Sequence, residues 1–298
     1  MNFVFRALRA IVVTVVVVCL GLAVWVYIAS ERRLNKIHDM TVNPVAARTD
    51  SASIARGEYL FQSISCTLCH GEDGGGAILQ RDRFLGTIAG PNLTRGRGGS
   101  GWQRSDIDWA RAIRRGVRPD GRSLIVMPSE VFTHLAESDL AAMLGYMRQL
   151  PAVDRYVPAT RFGPMGRALL AAGKLNILVA PKTPRYEAPA TPPPSGTIEY
   201  GRYLADVSGC HGCHGYGLSG GRVAGPPGLP PASNITPTGI GKWTEADFKR
   251  AMRDGKRPDG SAIDPFMPWE VFRKMSDPDL HTLWLYLQSV PSKEFGNK

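Results

Sequence analysis

Residues 11–29 form one nearly unbroken apolar run, eased only by Thr14 and Cys19. A run of about 20 apolar residues is long enough to cross the core of a bilayer as a helix. Elsewhere the apolar positions recur with helical period. Leu140, Met143, Leu144 and Met147 fall at i, i+3, i+4 and i+7, and so do Leu280, Leu283, Trp284 and Leu287. Each set predicts an amphipathic helix. Helices are also predicted over 54–63 and 198–207, each with a glycine (Gly57, Gly201) that permits close packing. Another pair begins after Ser105 and Thr244, where Asp108 and Asp247 three residues on resemble a capping box, and stops at Gly116 and Gly255. No stretch alternates well enough to predict a sheet, so the expected class is all-α.

These helices come in pairs because the sequence is doubled. Gly57-Glu58-Tyr59-Leu60 matches Gly201-Arg202-Tyr203-Leu204, and Cys66-Thr67-Leu68-Cys69-His70 matches Cys210-His211-Gly212-Cys213-His214. Asn92-Leu93-Thr94 matches Asn234-Ile235-Thr236, Trp102 matches Trp243, and Arg118-Pro119-Asp120-Gly121 matches Arg257-Pro258-Asp259-Gly260. Residues 127–151 align without gaps to 267–291. The organisation read from this is a transmembrane anchor over 1–30, a first domain over 50–151, a linker over 152–195 and a second domain over 196–298. The linker ends in Pro-rich sequence that reads as a stiff, extended spacer, while the apolar residues of 162–178 predict that part of it packs.

The formal charge of +10 invites a nucleic-acid reading, so its location matters. The excess lies in 1–49 and in the linker, +4 each, with only +1 in either domain. Without basic charge clustered on a folded face, nucleic-acid binding is excluded. The basic flank and linker suit contact with anionic lipid or an acidic subunit, as well as simple solvation. Arg6 and Arg9 precede the apolar run, and Glu31, Arg32, Arg33 and Lys36 follow it. A cleaved export signal is the alternative to an anchor. A cut after Ala29 would put Tyr27 where a small side chain is required.

Cys-x-x-Cys-His is a haem-attachment signature. Two thiols on one helical turn, Cys66 with Cys69 and Cys210 with Cys213, can each add to a haem vinyl group. His70 or His214 then stands beneath the iron. A four-cysteine zinc site would place its pairs closer and needs no following histidine. A thioredoxin-like pair needs a βαβ context. Of the nine methionines, only Met127 and Met267 occupy equivalent places in both copies, each followed by proline. A thioether ligand raises the potential and fills the iron's coordination shell, which suits electron transfer.

On these residues the chain resembles the class I c-type cytochromes, in two tandem copies covering roughly 54–151 and 197–291. The resemblance implies two covalently attached haems, on Cys66, Cys69, Cys210 and Cys213, with His70, Met127, His214 and Met267 as axial ligands. It implies that the first and last helices of each copy cross, and that the haem edge is exposed near the thioether bonds. It also implies a backbone carbonyl partner for the histidine. Gly90-Pro91-Asn92 matches that loop in the first copy, where the second has Ser233-Asn234. Trp102, Trp243, Arg111 and Arg250 recur and suit either propionate contacts or plain surface and core roles.

The pattern as a whole is similar to the cytochrome subunits of bacterial membrane-bound sugar, alcohol and aldehyde dehydrogenases. Those commonly have three haem domains, where this chain has two. The resemblance implies a single-pass protein of the cytoplasmic membrane, N-terminus inside and haem domains periplasmic, relaying electrons for a dehydrogenase subunit. A subunit of, or donor to, a respiratory quinol or oxidase complex fits the same residues. A dihaem enzyme such as a peroxidase is a further reading, opposed by the paired methionines, since peroxide chemistry needs an iron that opens.

Overall fold

The computed structural model describes residues 2–223 and 228–296. Helix α1 (Asn2–Leu34) contains the apolar run and is the one helix among the described residues long and apolar enough to cross a membrane. Its side chains from Phe3 to Ile28 are almost all exposed, as a helix whose partner is lipid would have them.

The first half builds from α2 (Ser51–Ser63), α3 (Cys66–His70), α4 (Asp106–Arg115), α5 (Ser129–Phe132) and α6 (Glu137–Gln149). Asp50 caps α2 by accepting the Ser53 amide at 2.9 Å. Ser105 and Asp108 form the expected capping box on α4, and Gly116 ends that helix in the left-handed conformation, φ 64°. Helices α2 and α6 make the most extensive helix contact, because Gly57 lets the two backbones touch. A Cβ at Gly57 would lie 2.1 Å from the Ala142 carbonyl oxygen. Leu60, Phe61, Ile64, Leu140, Met143 and Leu144 are buried between them. Each such side chain contributes roughly 1.5–3 kcal/mol on leaving water.

Sheet is present where none was expected. Strands β1 (Ala77–Asp82) and β2 (Gly86–Gly90) form an antiparallel hairpin, and β3 (Arg161–Phe162) adds to β2. The register slips between Ile78 and Gln80, and β1 is exposed along nearly its whole length. A short ribbon with no buried face has no reason to alternate, so hydrophobic periodicity carries no trace of it. Backbone pairing makes these strands, and only the folded chain supplies the partners.

After β3 the linker forms α7 (Pro164–Ala171), which packs along the end of α1. The Pro-rich part is docked rather than free. The amides of Glu137 and Ser138 donate to the carbonyls of Pro189 and Ala190, at 2.9 and 3.0 Å. This gives α6, which has no side-chain cap, acceptors for its first amides. Arg115 holds the Pro184 and Tyr186 carbonyls at 2.9 and 3.2 Å.

The second half repeats the order with α8 (Ile198–Val207), α9 (Cys210–His214), α10 (Pro237–Ile240), α11 (Glu245–Asp254), α12 (Trp269–Phe272) and α13 (Asp277–Ser289). Thr244 and Asp247 box the start of α11, and Gly255 ends it at φ 64°. Gly201 plays the part of Gly57, its absent Cβ 2.3 Å from the Thr282 carbonyl oxygen where α8 crosses α13. Tyr200, Tyr203, Leu204 and Val207 of this half belong to the apolar cluster of the first, so the two halves share a core across their seam.

Candidate functional site

Each half carries one apolar cavity between its first, second and last long helices. In the first half Cys66, His70 and Met127 line it together, closed in by Phe61, Leu93, Trp109, Ile113 and Met143. Cys69 stands on the same turn of α3, its carbonyl so close to Gly90 that no Cβ would fit there. In the second half Cys210, Cys213, His214 and Met267 all line the cavity, with Phe248, Phe272 and Leu283 among its walls. Residues about 60 positions apart in sequence, Cys66 with Met127 and Cys210 with Met267, thus meet at one place, twice.

The histidines are oriented by backbone. Nδ1 of His70 lies 3.0 Å from the Pro91 carbonyl oxygen, and Nδ1 of His214 lies 2.7 Å from that of Ser233. The second copy therefore has the carbonyl partner although it lacks the Gly-Pro-Asn sequence. A main-chain oxygen needs no particular side chain, so the loop's position matters and its residue type does not. That position is set by the recurring asparagine and threonine. Asn92 accepts the Thr94 amide at 2.9 Å and donates to the Val153 carbonyl at 2.7 Å. Asn234 accepts the Thr236 amide at 2.9 Å and donates to the Lys293 carbonyl at 2.7 Å. Each loop is thereby tied to the chain that follows the last helix of its half.

An Nδ1 that donates to a carbonyl fixes the tautomer in which Nε2 is the nitrogen with a lone pair, the one suited to ligate a metal. Burial pulls the His70 imidazole below its ordinary pKa, with the Pro91 carbonyl opposing, so the ring is held neutral and suited to a metal. Burial pushes the thiols of Cys66 and Cys210 up to about 12, each further raised by a neighbouring acidic group. Thiols held protonated in this way are poor partners for disulfide exchange at neutral pH. Their placement suits carbon–sulfur attachment better than redox exchange.

Met127 follows Val126, whose φ of 70° lies in the left-handed region that a β-branched residue avoids. The Val126 amide donates to the Ile177 carbonyl at 2.9 Å, so the linker holds this loop in place.

Among the recurring residues singled out for contact with an acidic group, Arg250 is engaged with Asp247 at 2.9 Å on its own helix, and Trp243 packs on the second core. Arg111 does not line the first cavity, and the Trp102 side chain lies outside the described residues. The cationic residues at the cavities are instead Arg104 and Arg257. Arg104 lies over the Trp109 ring at 5.3 Å, and its Nε is buried with no hydrogen-bond partner among the described residues. Its sequence signal was weak, since Trp102-Gln103-Arg104-Ser105 is matched by Trp243-Thr244 in the second copy, which leaves Arg104 without a counterpart. Arg257 was legible as the first residue of the repeated Arg-Pro-Asp-Gly. Two adjacent thiols, a neutral imidazole, a thioether, apolar walls and a guanidinium at the rim fit a covalently attached tetrapyrrole with anionic arms.

Residues 54–151 match the model of the cytochrome c family. Over 97% of its length the chain is 26% identical to the fructose dehydrogenase cytochrome subunit of Gluconobacter japonicus, covering 60% of that protein. It is 29% identical, over 84% of its length, to the cytochrome c subunit of the quinone-dependent alcohol dehydrogenase of Gluconobacter oxydans, covering 57% of it. The cytochrome c subunit of gluconate 2-dehydrogenase from Pantoea cypripedii is 26% identical over 83% of the chain, with 62% of that protein covered. The chain thus spans about three-fifths of the length of these relatives.

Proposed function

We propose that this chain, whose residues 54–151 belong to the cytochrome c family, is a membrane-anchored dihaem electron-transfer subunit of a dehydrogenase complex. Its parts are an anchor over 1–30, cytochrome c domains over 50–151 and 196–298, and a docked linker over 152–195. Cys66 and Cys69 hold one haem and Cys210 and Cys213 the other. His70 with Met127, and His214 with Met267, are the axial pairs. The observation that carries this is the recurrence of the whole constellation: thiols, carbonyl-held imidazole and thioether around an apolar cavity in each half.

The bound group would supply reversible one-electron chemistry at iron. The chain supplies the rest. The carbonyls of Pro91 and Ser233 set the tautomer and orientation of the imidazoles. Met127 and Met267 would bind the iron through their thioethers and so keep water and peroxide from it. The aromatic and aliphatic walls keep the dielectric low. With two such sites on one tether, a partner at the membrane meets them at high local concentration. The haem-bearing halves face the periplasm in this reading, supported by the attachment signature, which belongs to exported cytochromes; Arg6 and Arg9 before the apolar run are balanced by Arg32, Arg33 and Lys36 after it and set no orientation.

The relatives' names point to dehydrogenases acting on fructose, alcohol or gluconate, and a subunit of this kind is the proposed partner. Mild solubilisation of membranes, followed by identification of what co-purifies stoichiometrically, tests this. A dehydrogenase subunit together with two haems per chain is expected. A quinol-oxidising or oxygen-reducing complex in its place would move the chain to the respiratory chain proper, and one haem per chain would remove the second site.

A further inference from the structure

The hairpin β1–β2, the start of α7 and the end of α1 form a single unit. The Phe84 carbonyl accepts the amides of Met165 and Gly166, at 3.0 and 3.2 Å, and the Leu85 carbonyl accepts that of Gly163 at 3.0 Å. Gly163 and Gly166 are needed there, since a Cβ on either would lie 2.4 or 2.2 Å from those carbonyl oxygens. Arg167 joins this to the anchor. It donates to the Ser30 hydroxyl at 2.9 Å, pairs with Glu31 at 2.8 Å, and lies over the Tyr27 ring at 4.8 Å.

The direction of α7 follows from two contacts. Arg167 meets Tyr27, and Gly173, just past the end of the helix, meets the guanidinium of Arg33. The contacts run in the same order along both helices, so α7 lies alongside α1 with its N-terminus towards the apolar run. Tyr27 already lies inside that run, which ends at Ala29. Met165 precedes Arg167 by two residues, about 3 Å of helix rise, and so stands still nearer the bilayer. The hairpin tip, bonded to residues 163, 165 and 166, stands level with it.

What this end of the molecule exposes is apolar. Phe84 is 50% exposed, Met165 51%, and Leu85 is exposed beside them. Exposed arginines flank the tip: Arg81 and Arg83 (its guanidinium 4.8 Å from the Phe84 ring centroid), with Asp82 between them, and Arg161 on the strand paired with β2. Apolar and aromatic side chains flanked by basic ones are what an interfacial element presents to anionic headgroups. The corresponding stretch of the second half, 221–232, carries prolines at 226, 227, 230 and 231.

We propose that the tip of the β1–β2 hairpin and the N-terminus of α7 insert into the headgroup region of the membrane that α1 crosses. The first half is thereby held at a defined height and orientation on the lipid surface instead of swinging on a tether. This rests on the reading of α1 as a membrane anchor, and the experiment separates the two.

The full-length, haem-loaded chain in a Cys19→Ser background is reconstituted into vesicles of phosphatidylethanolamine and phosphatidylglycerol. An environment-sensitive thiol label is placed singly by Phe84→Cys, Met165→Cys, Leu22→Cys within the anchor, or Tyr216→Cys on the exposed second half. Blue-shifted emission at 84 and 165, lost on adding lipid with a headgroup-level quencher, is expected, with no such loss at 216. Quenching at 22 by a deep quencher, with 84 and 165 unchanged from detergent-free buffer values, overturns the proposal and leaves the anchor standing. No quenching at 22 overturns both. Equal quenching at 84, 165 and 216 means non-specific adhesion, and protection of 84 and 165 only when a co-purified subunit is added assigns the patch to a protein partner. Either result overturns the proposal.

Discussion

The Tyr203 hydroxyl donates to the buried carboxylate of Asp139 at 2.7 Å across the seam between the halves. Its repeat counterpart Tyr59 does the same in the opposite direction, donating to Asp279 at 2.5 Å. Each hydroxyl also accepts the amide that opens the facing helix, Ala136 for Tyr203 and Ser276 for Tyr59. The seam is therefore a pseudo-two-fold interface between the copies. One side is reinforced: Arg56 grips Asp139 through two bonds, 3.0 and 2.7 Å, where the second copy has Tyr200.

Removing one of these hydroxyls should loosen the seam. Tyr203→Phe leaves Asp139, the carboxyl that Arg56 also grips, with one donor fewer, and a hydrogen bond in such an ion-paired group contributes about 1.5–3 kcal/mol. The urea midpoint of the haem-loaded protein should fall accordingly. A midpoint equal to wild type would mean that the bond adds nothing to stability.

The same contact gives the seam a pH dependence. Burial, and then the Asp279 carboxylate it donates to, push the Tyr59 phenol up to about 12 from an ordinary value near 10. The folded state holds this proton more tightly than the unfolded one, so its contribution is complete below about pH 10 and is lost as pH rises towards 12. Stability measured across that interval should decline, and less steeply in Tyr59→Phe. Superimposable profiles for the two proteins would contradict the assignment.

The helix crossings leave no room for a methyl group. Gly57→Ala and Gly201→Ala should each destabilise their half by at least about 1–3 kcal/mol, the usual effect of overpacking, because the clash is with backbone rather than a yielding side chain. Thermal unfolding followed in the far ultraviolet reads this directly, and a gain in stability would refute the close approach.

In the proposed assignment the methionine ligands are separable from attachment. Met127→His or Met267→His should lower the potential of that site by on the order of 0.1 V, well inside the roughly 0.8 V over which axial ligands tune haem. Haem content should stay unchanged, since the thiols are untouched. An unaltered redox titration would strike the methionine from the ligand set.

Ser233→Ala should leave both the potential and the haem content of the second site unchanged. The partner of His214 there is a main-chain oxygen, which the substitution keeps. A shifted potential in this variant would show that the side chain takes part.

Much of this protein was determined locally, and so was readable along the chain. The anchor, the capped helices from Ser105 and Thr244 to their closing glycines, and the Cys-x-x-Cys-His turns depend on residues within a few positions of one another. The doubling extended that reach, because comparing the copies picked Met127 and Met267 from nine methionines. Tertiary structure decided what depends on groups without a sequence label. Backbone pairing made the β1–β2 hairpin from residues that show no alternation. A main-chain oxygen let Ser233 stand where a Pro-containing loop was expected. Arg104, not the recurring Arg111, reached the first cavity, since a long side chain is placed by the packing around it. The seam joined Tyr59 to Asp279 over 220 positions. That distance in sequence is bridged only once both cores have formed and present their faces to each other.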